Sequence, residues 1–298
     1  MKTVYYLTRR NCRLFFKDKG MFFSSLITPI ILLVLYATFL AKVYRDSFAN
    51  AVPAGLVSDS LIDATVAAQL ISSLLAVICV TVAFCANLIS INDKASGVIH
   101  DLTVTPVRRS ALAVGYFASS AIVTLIVTFT TLAACLIYLA FIGWYMSVAD
   151  VFLLLLDVLL LTLFGTAIAS CVNFGLTTNG QASAVGTIVS AGYGFICGAY
   201  MPISSFGTGL QRALSFLPGT YGTCLIRNHA MSGVLREMRD AAGFPEEILT
   251  GIRDSIDCNL SFFGTEVTIP AMYLILTGAT LLLVGLYILL NALRRAGK

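Results

Sequence analysis

Residues 110–149 read SALAVGYFASSAIVTLIVTFTTLAACLIYLAFIGWYMSVA, forty consecutive positions without Asp, Glu, Lys or Arg. A helix crosses the hydrocarbon core of a bilayer with about 20 apolar residues, so this stretch is too long for a single span. Further uncharged stretches lie at 20–41, 64–92, 158–211 and 267–293. Only 11% of the 298 residues are charged, against about 25% in a soluble domain. The sequence therefore predicts an all-α integral membrane protein without a fused soluble catalytic domain.

Turn signals divide the two longest stretches into shorter helices. Gly143-Trp144-Tyr145 and Asp150 interrupt the first, and Thr177-Thr178-Asn179-Gly180-Gln181 interrupts the second. We predict six transmembrane helices in one domain that covers residues 21–298, after a short amino-terminal segment at 1–20. The predicted spans lie near 22–41, 64–91, 110–142, 151–172, 182–200 and 268–292.

The basic residues are unevenly distributed between the loops, which predicts the orientation, because Lys and Arg near span ends are retained in the cytoplasm. Twelve of the 19 bases, but only three acids, fall in the amino-terminal segment, the 92–109 loop and the carboxyl-terminal tail. We expect these parts to be cytoplasmic in a multi-pass plasma-membrane protein. Asp46, Trp144 and His229 are then outside or at the outer interface. A cleaved signal peptide is disfavoured, because the apolar run is long and no clear A-x-A site follows it.

The amino-terminal segment has the pattern of an amphipathic helix. At 100° per residue four bases share one sector and apolar side chains occupy most of the remainder. The four bases are Arg9, Arg10, Arg13 and Lys17. We expect an interfacial helix on the cytoplasmic leaflet. The alternative is a simple retention signal, which needs the charges but not the apolar sector.

The 92–109 loop contains a short helical pattern that ends before Pro106. Val98 and Leu102 share one helical face, and Gly97 lies near its start. A short helix flanked by charge is suited to docking in a groove on another protein. An ordinary solvated connector explains the composition equally well.

Residues 201–266 are too polar and too broken to form a span. Leu210, Leu214 and Leu217 line one side of a short helix, which predicts a segment that re-enters the outer leaflet. From Asn228 onward the composition is that of ordinary polar sequence, so we predict an external cap of one or two helices. Two cysteines of this outer segment form either a disulfide or two free thiols. They are Cys224 and Cys258.

Two features within the predicted spans have both a packing and a functional interpretation. Small residues recur at every fourth position of the fifth span, where they let helices approach closely. They are Gly186, Ser190, Gly194 and Gly198. Packing within the chain and a surface at a dimer axis or pathway fit this stripe equally well. Asp157 is the only clearly intramembrane carboxylate, and its shallow depth predicts a water-facing or Ser/Thr-bonded side chain near the outer interface.

The sequence lacks the usual motifs of catalysis. No G-x-x-x-x-G-K-[ST] occurs, so the chain has no phosphate-binding loop of that type. His100 and His229 fall on opposite faces of the membrane in the predicted topology, and no C-x-x-C occurs. We therefore expect neither a metal site nor histidine-based catalysis.

Several segments together carry a family resemblance. They are residues 7–19, a first span with Pro29, Gly97 to Arg109 with Thr105-Pro106-Val107-Arg108, Met201-Pro202 through Leu217-Pro218-Gly219-Thr220-Tyr221, and Leu225-Ile226-Arg227. In this order, and at these positions relative to six spans, they resemble the permease subunits of type-2 ATP-binding-cassette exporters. The likeness covers nearly the whole chain. It departs at Gly207 and Gly209, where a second proline is expected, and in an outer segment longer than that of polysaccharide exporters.

The resemblance implies a role for each segment. The first helix would be a connecting helix, and the 92–109 loop would hold a coupling helix seated on a separate ATPase, with Leu102 as its apolar anchor. The residues implied in coupling are Gly97, Val98, Asp101, Leu102, Thr105, Pro106 and Arg108. Two permeases, identical or paralogous, would pair with two ATPases that bind ATP and magnesium. Substrate would pass between the permeases beside their first, second and fifth spans.

These inferences predict an exporter permease that is not itself an enzyme and holds no cofactor. We expect a hydrophobic or amphipathic drug, lipid or peptide as substrate, as in multidrug resistance, with lipid but no nucleic acid as a further partner. Polysaccharide or glycolipid export is the alternative within the family. A secondary transporter usually needs intramembrane carboxylates and repeated halves, and a membrane-embedded enzyme needs clustered reactive groups. Neither pattern is found in the sequence.

Overall fold

The computed structural model describes residues 2–42, 45–46, 58–104, 107–241 and 243–293. These residues form helices joined by short turns, with one small β-hairpin. The helices are α1 Lys2–Lys17, α2 Lys19–Leu35 with a π-helical turn Tyr36–Leu40, α3 Asp59–Ala95, α4 Val98–Val104, α5 Arg109–Ile142, α6 Val148–Phe174, α7 Asn179–Ile196, α8 Thr208–Leu214, α9 Pro218–Asp240, α10 Glu246–Ser255 and α11 Ile269–Leu293. Strands β1 Ser261–Phe262 and β2 Thr265–Glu266 pair in antiparallel fashion.

Among the described helices, α3, α5, α6 and α11 are each long and apolar enough to cross a bilayer. Helices α1 and α2 meet at a bend of 75°, and the number of crossings rises to five if the two are counted as one broken span. Helix α7 lies at the position predicted for the fifth span, but its first turn carries Asn179, Gly180 and Gln181. The all-α membrane fold is confirmed, whereas the count of six spans stays a prediction.

Helix α3 forms the centre of the bundle. It is apolar along most of its length, and α2, α5, α6, α7 and α9 all pack on it. The approach of α6 is closest at Gly165, where a Cβ atom would lie 2.6 Å from the carbonyl oxygen of Cys79 and 3.0 Å from the Cα of Val80. A glycine at this position therefore allows the two helix backbones to touch.

Short polar side chains fix where several helices begin. The Ser58 hydroxyl accepts a hydrogen bond from the backbone N–H of Leu61 at the start of α3. Reciprocal capping boxes begin α6, between Ser147 and Asp150, and α7, between Thr178 and Gln181. The breaks between α5 and α6 and between α6 and α7 therefore coincide with the two turn signals in the sequence.

Helix α9 differs from the prediction for the outer segment. It runs unbroken from Pro218 to Asp240, across the predicted boundary between the re-entrant segment and the cap, and sixteen of its residues are buried. It begins part-way along the bundle, because a Cβ atom on Gly219 would lie 2.7 Å from the Tyr193 hydroxyl and 3.4 Å from the Phe164 ring. Its composition resembles that of a solvated helix. The helix is nevertheless buried, because several of its polar side chains have partners inside the protein.

The bundle has two ends, which we name for the features that they hold. We call the end that holds α1, α4 and the carboxyl termini of α3 and α6 the basic end. The opposite end, which holds residues 143–147, α10 and the β-hairpin, is called the hairpin end.

Candidate functional site

Helix α1 is fixed to the first half of α5 by one buried stripe. Leu7, Asn11 and Phe15 are buried, and Leu7 fits against Gly115, where a Cβ atom would lie 2.7 Å from the Leu7 Cδ2. The side-chain amide of Asn11 donates to the Ser119 hydroxyl at 3.3 Å. The apolar sector of the predicted interfacial helix therefore contacts protein over part of its width.

One carboxylate joins three helices at the basic end. Arg10 donates to both oxygens of Asp93, at 2.6 and 3.0 Å, and the Tyr116 hydroxyl donates to the same carboxylate at 2.6 Å. The hydrogen bond from Arg10 to Asp93 raises the pKa of Arg10, so the guanidinium keeps its charge. Paired donors from a guanidinium give both strength and a fixed geometry. Helices α1, α3 and α5 are thereby held together at Asp93.

Lys94, the next residue of α3, closes the carboxyl terminus of α6. Its ammonium group donates to the carbonyl oxygens of Asn173, Phe174 and Leu176, at 2.8, 3.0 and 3.0 Å. The last carbonyls of a helix have no partner within the helix, so a lysine satisfies them well. The contact fixes the turn between α6 and α7 to the end of α3.

The predicted coupling helix forms as α4, which follows Gly97 in the left-handed region at φ +81°. Val104 is 86% exposed on its outward side. Leu102, by contrast, is half-buried and packs against a cluster that includes Leu7 and Phe15 of α1. The predicted anchor therefore lies on the side of α4 that packs against the bundle.

The other residues predicted to couple lie in different surroundings. Val98 is half-buried, Asp101 is exposed, and Arg108 is exposed at the residue that precedes α5. Thr105 and Pro106 lie outside the described residues. The exposed side of α4 is formed by His100, Asp101, Thr103 and Val104.

The prediction for Asp157 is wrong. Its side chain is 0% exposed, with Oδ2 at 2.5 Å from the His229 Nδ1 and Oδ1 accepting from the Tyr273 hydroxyl. Its partners are an imidazole and a phenol, because α9 enters the bundle and brings His229 beside α6. This cluster joins α6, α9 and α11, and sequence spacing contains no sign of it. Across the described residues, no group of three or more His, Cys, Asp or Glu side chains is arranged to hold a metal ion.

Arg227 forms a second buried cluster, toward the hairpin end. Its side chain is 1% exposed and donates to the carbonyl oxygens of Gly198 and Ile256, both at 2.7 Å. Asp257 lies 3.6 Å from the guanidinium and accepts from the backbone N–H groups of Ile203 and Ser204. Burial raises the pKa of Asp257 despite the opposing effect of Arg227. The cluster fixes the turn after α7 to α9 and to the end of α10.

The predicted stripe of small residues is divided between two environments. Helix α7 ends before Gly198, which lies in the following turn at φ +75°. Gly194 contacts Tyr200, whose ring would lie 2.2 Å from an added Cβ atom, and the Tyr200 hydroxyl donates to the Ser190 carbonyl at 3.4 Å. Gly186 has open space beside it. Packing within the chain therefore explains the carboxyl-terminal part of the stripe and leaves the amino-terminal part open.

Cys224 and Cys258 are both free thiols in the structure. The Cys224 Sγ lies 3.1 Å from the carbonyl oxygen of Cys258. Burial raises the pKa of the Cys258 thiol to about 12, which keeps the reactive thiolate scarce at neutral pH. The structure thus has two free thiols rather than the disulfide. The disulfide stays a prediction, which mass analysis of alkylated protein with and without reduction decides.

The sequence of these elements matches a known protein family. The family model described as ABC-2 type transporter matches residues 2–229, from α1 into α9. The chain belongs to this family. No curated protein matches the chain. The ABC-2 match includes α1, α4, Asp93 and Asp157, and it ends at His229.

Membership assigns the general role of the chain. An ABC-2 membrane domain is the permease of an ABC transporter, a membrane subunit that generally lacks ATPase motifs, and the family implies an ABC ATPase as partner. The apolar helices of this ABC-2 permease make it a multi-pass membrane protein.

Proposed function

We propose that this permease serves an ATP-driven exporter and moves a hydrophobic or amphipathic drug, lipid or peptide out of the cytoplasm or the inner leaflet. The observation that carries the proposal is the exposed α4 at the basic end, beside the Asp93 joint of α1, α3 and α5. A displacement of α4 by a partner is passed to these three helices at their common end. Coupling by this route needs no ATP chemistry in the permease itself.

The orientation follows from charge. We assign the basic end to the cytoplasm of a plasma-membrane protein, with both chain termini on that side, because the excess of Lys and Arg lies there. Six crossings, by α2, α3, α5, α6, α7 and α11, satisfy this orientation. The polar first turn of α7 then lies at the cytoplasmic interface, where its capping groups meet water.

Pairing of two permeases is supported by helix faces that a single chain leaves exposed. On α2 the exposed apolar side chains include Phe23, Ile27, Ile31 and Val34, and on α7 they include Ile188 and Phe195. We propose that two permeases, identical or paralogous, meet along these faces and work with two ATPases that hold ATP and magnesium. Export of drugs by this route would give multidrug resistance.

The apolar character of the same faces also supports the choice of substrate. A pathway beside α2 and α7 offers apolar side chains and small residues, which favour a lipid-like molecule over a glycan. Export of a polysaccharide or glycolipid is the alternative within the family.

Reconstitution tests the function. The tagged permease is purified from its native membrane with any ATPase that accompanies it, and the complex is placed in vesicles. We expect hydrophobic compounds to stimulate ATP hydrolysis and to accumulate in vesicles whose ATPases face outward. A partner ATPase with a substituted phosphate-binding lysine is the control, and accumulation should then stop. Transport that continues without any ATPase, driven by an ion gradient, would overturn the proposal.

A further inference from the structure

Helix α1 has a second face, opposite its contact with α5. Its exposed side chains are bases and aromatic rings, without an acid among them. We call this set the basic–aromatic face: Lys2, Tyr5, Tyr6, Arg9, Arg13, Phe16 and Lys17. Tyr5 and Tyr6 are among the most exposed aromatic residues of the described chain.

The charges of this face have no ion-pair partner in the part of the chain that the structure describes. Within the described residues, Arg9, Arg13 and Lys17 form no ion pair, whereas Arg10, on the neighbouring side of the same helix, is paired with Asp93. An arginine at another exposed position does have an acid beside it, namely Arg239 with Asp240 at 3.0 Å. The basic–aromatic face therefore carries positive charge that is available to an external anion.

The position of α1 indicates what that anion is. Only Asp18 separates α1 from α2, and the two helices meet at 75°. When α2 crosses the bilayer, α1 consequently runs close to the plane of its surface. Tyrosine rings are favoured at the level of lipid headgroups, and a basic amphipathic helix is attracted there by anionic lipids.

The surface of the last two turns of α1 offers both kinds of contact that a phospholipid needs. It is shallow and open, and it combines basic with apolar side chains. They are Arg10, Cys12, Arg13, Leu14, Phe16 and Lys17. A phosphate beside the bases would leave the first methylene groups of an acyl chain against Leu14 or Phe16, which flank the bases on either side at 100° per residue.

From these observations we propose that the basic–aromatic face binds the headgroups of anionic phospholipids and thereby fixes the position of α1. Because Arg10 links α1 to Asp93, bound lipid also stabilises the joint beside α4 and raises coupled ATP hydrolysis. The effect on hydrolysis rests on the proposed function, whereas the binding of lipid does not.

The test compares lipid binding and hydrolysis in the purified complex. We replace Arg9, Arg13 and Lys17 together by Gln and measure the binding of phosphatidylglycerol by native mass spectrometry. Each base near a charged membrane contributes about fivefold to affinity, so the triple variant should bind roughly a hundredfold more weakly. In nanodiscs of phosphatidylcholine with increasing phosphatidylglycerol, wild-type hydrolysis should rise and that of the triple variant should stay flat.

Two control variants separate lipid binding from general effects. Replacing Arg212, Arg239 and Arg253 by Gln removes the same charge at the hairpin end and should leave both measurements unchanged. The variant with Arg9→Lys, Arg13→Lys and Lys17→Arg keeps the charge and should behave as wild type. All three variants should unfold at the wild-type temperature, because most of the replaced side chains are exposed.

Three outcomes would overturn the proposal. The first is equal phosphatidylglycerol binding by wild type and the Arg9, Arg13 and Lys17 variant. The second is loss of the ATPase from this variant in lipid-free detergent, which would make the face a protein contact. The third is full stimulation by inorganic phosphate in phosphatidylcholine nanodiscs, which would identify a free anion as ligand. If wild type copurifies with no ATPase, the proposed function fails, but the binding measurement still decides the lipid site.

Discussion

The surroundings of Asp157 depend on contacts that are distant in sequence. Its buried carboxylate is shared by His229 and Tyr273. Asp157→Ala leaves the His229 imidazole and the Tyr273 hydroxyl buried without this partner, and each such group costs about 1–3 kcal/mol. Loss of a single hydrogen bond costs about 1 kcal/mol. We predict that Asp157→Ala lowers the thermal unfolding midpoint several-fold more than Tyr273→Phe, measured by circular dichroism in detergent.

A double variant provides the control for this cluster. Asp157→Asn and His229→Gln should together cost less than the sum of their separate effects, because each removes the same interaction. Strict additivity, or an Asp157→Ala protein as stable as wild type, would mean that the cluster does not hold α9 in place.

Arg10 and Arg9 are adjacent bases with different surroundings, so they make a matched pair. Arg10→Gln removes charged hydrogen bonds to Asp93, each worth about 1.5–3 kcal/mol when buried and less here because Arg10 is partly exposed. Arg9→Gln removes an exposed charge without an ion-pair partner among the described residues. We predict that only Arg10→Gln lowers the amount of substrate moved per ATP hydrolysed. Equal ratios in the two variants would exclude the Asp93 joint from coupling.

At the scale of elements, the two sides of α4 should respond differently to the same substitution. Val104→Asp changes an exposed side chain, so we expect ATPase binding to weaken about tenfold or more while the unfolding midpoint stays unchanged. Leu102→Asp places a charge against the cluster with Leu7 and Phe15, so the midpoint itself should fall. Copurification and thermal unfolding measured on both variants test this. A Val104→Asp protein that retains its ATPase and its transport would argue that α4 is an ordinary connector.

The contact between α3 and α6 depends on a glycine. Gly165→Ala forces a methyl group onto the backbone of Cys79 and Val80, and overpacking of this kind costs about 1–3 kcal/mol. Gly278, within α11, has open space beside it, so Gly278→Ala should be neutral or slightly stabilising. Comparison of the two unfolding midpoints checks the prediction. Equal midpoints would mean that the helices can separate at Gly165 without loss.

At the scale of the whole molecule, the orientation predicts which positions an impermeant reagent reaches. In a protein without its native thiols, a cysteine at position 263 should react from outside intact cells, and one at position 100 should react only after the membrane is opened. Both wild-type residues are exposed in the structure, so slow labelling cannot be attributed to burial. Rapid labelling at position 100 in sealed cells would reverse the assignment of the basic end.

The elements that could be predicted from sequence are those decided by local chemistry. Uncharged length predicted the helices now seen as α3, α5, α6 and α11, and the turn signals at Gly143 and Thr178 predicted the breaks between neighbours. Gly97 and Pro106 predicted a short helix between them, now seen as α4, since both residue types act on the backbone of adjacent residues.

What could not be predicted depends on contacts between distant residues. Asp157 and His229 are 72 positions apart, and the polar composition after Asn228 concealed that α9 packs inside the bundle. The inward side of α4 is likewise set by the buried cluster that includes Leu7, Phe15 and Tyr116, rather than by the pattern of Val98 and Leu102 alone. The burial predicted from polarity was therefore wrong wherever a polar side chain has a buried partner.

Trp144 is the only tryptophan in the chain, and it lies half-exposed in the turn between α5 and α6. The next residue, Tyr145, packs against α9, since a Cβ atom on Gly233 would lie 2.4 Å from its carbonyl oxygen. The permease thus has a single tryptophan, which can be excited apart from the tyrosines, at the hairpin end, opposite α4. Its emission can report rearrangements there when nucleotide is added at the other end, without any attached dye, provided that the partner's own tryptophans are replaced.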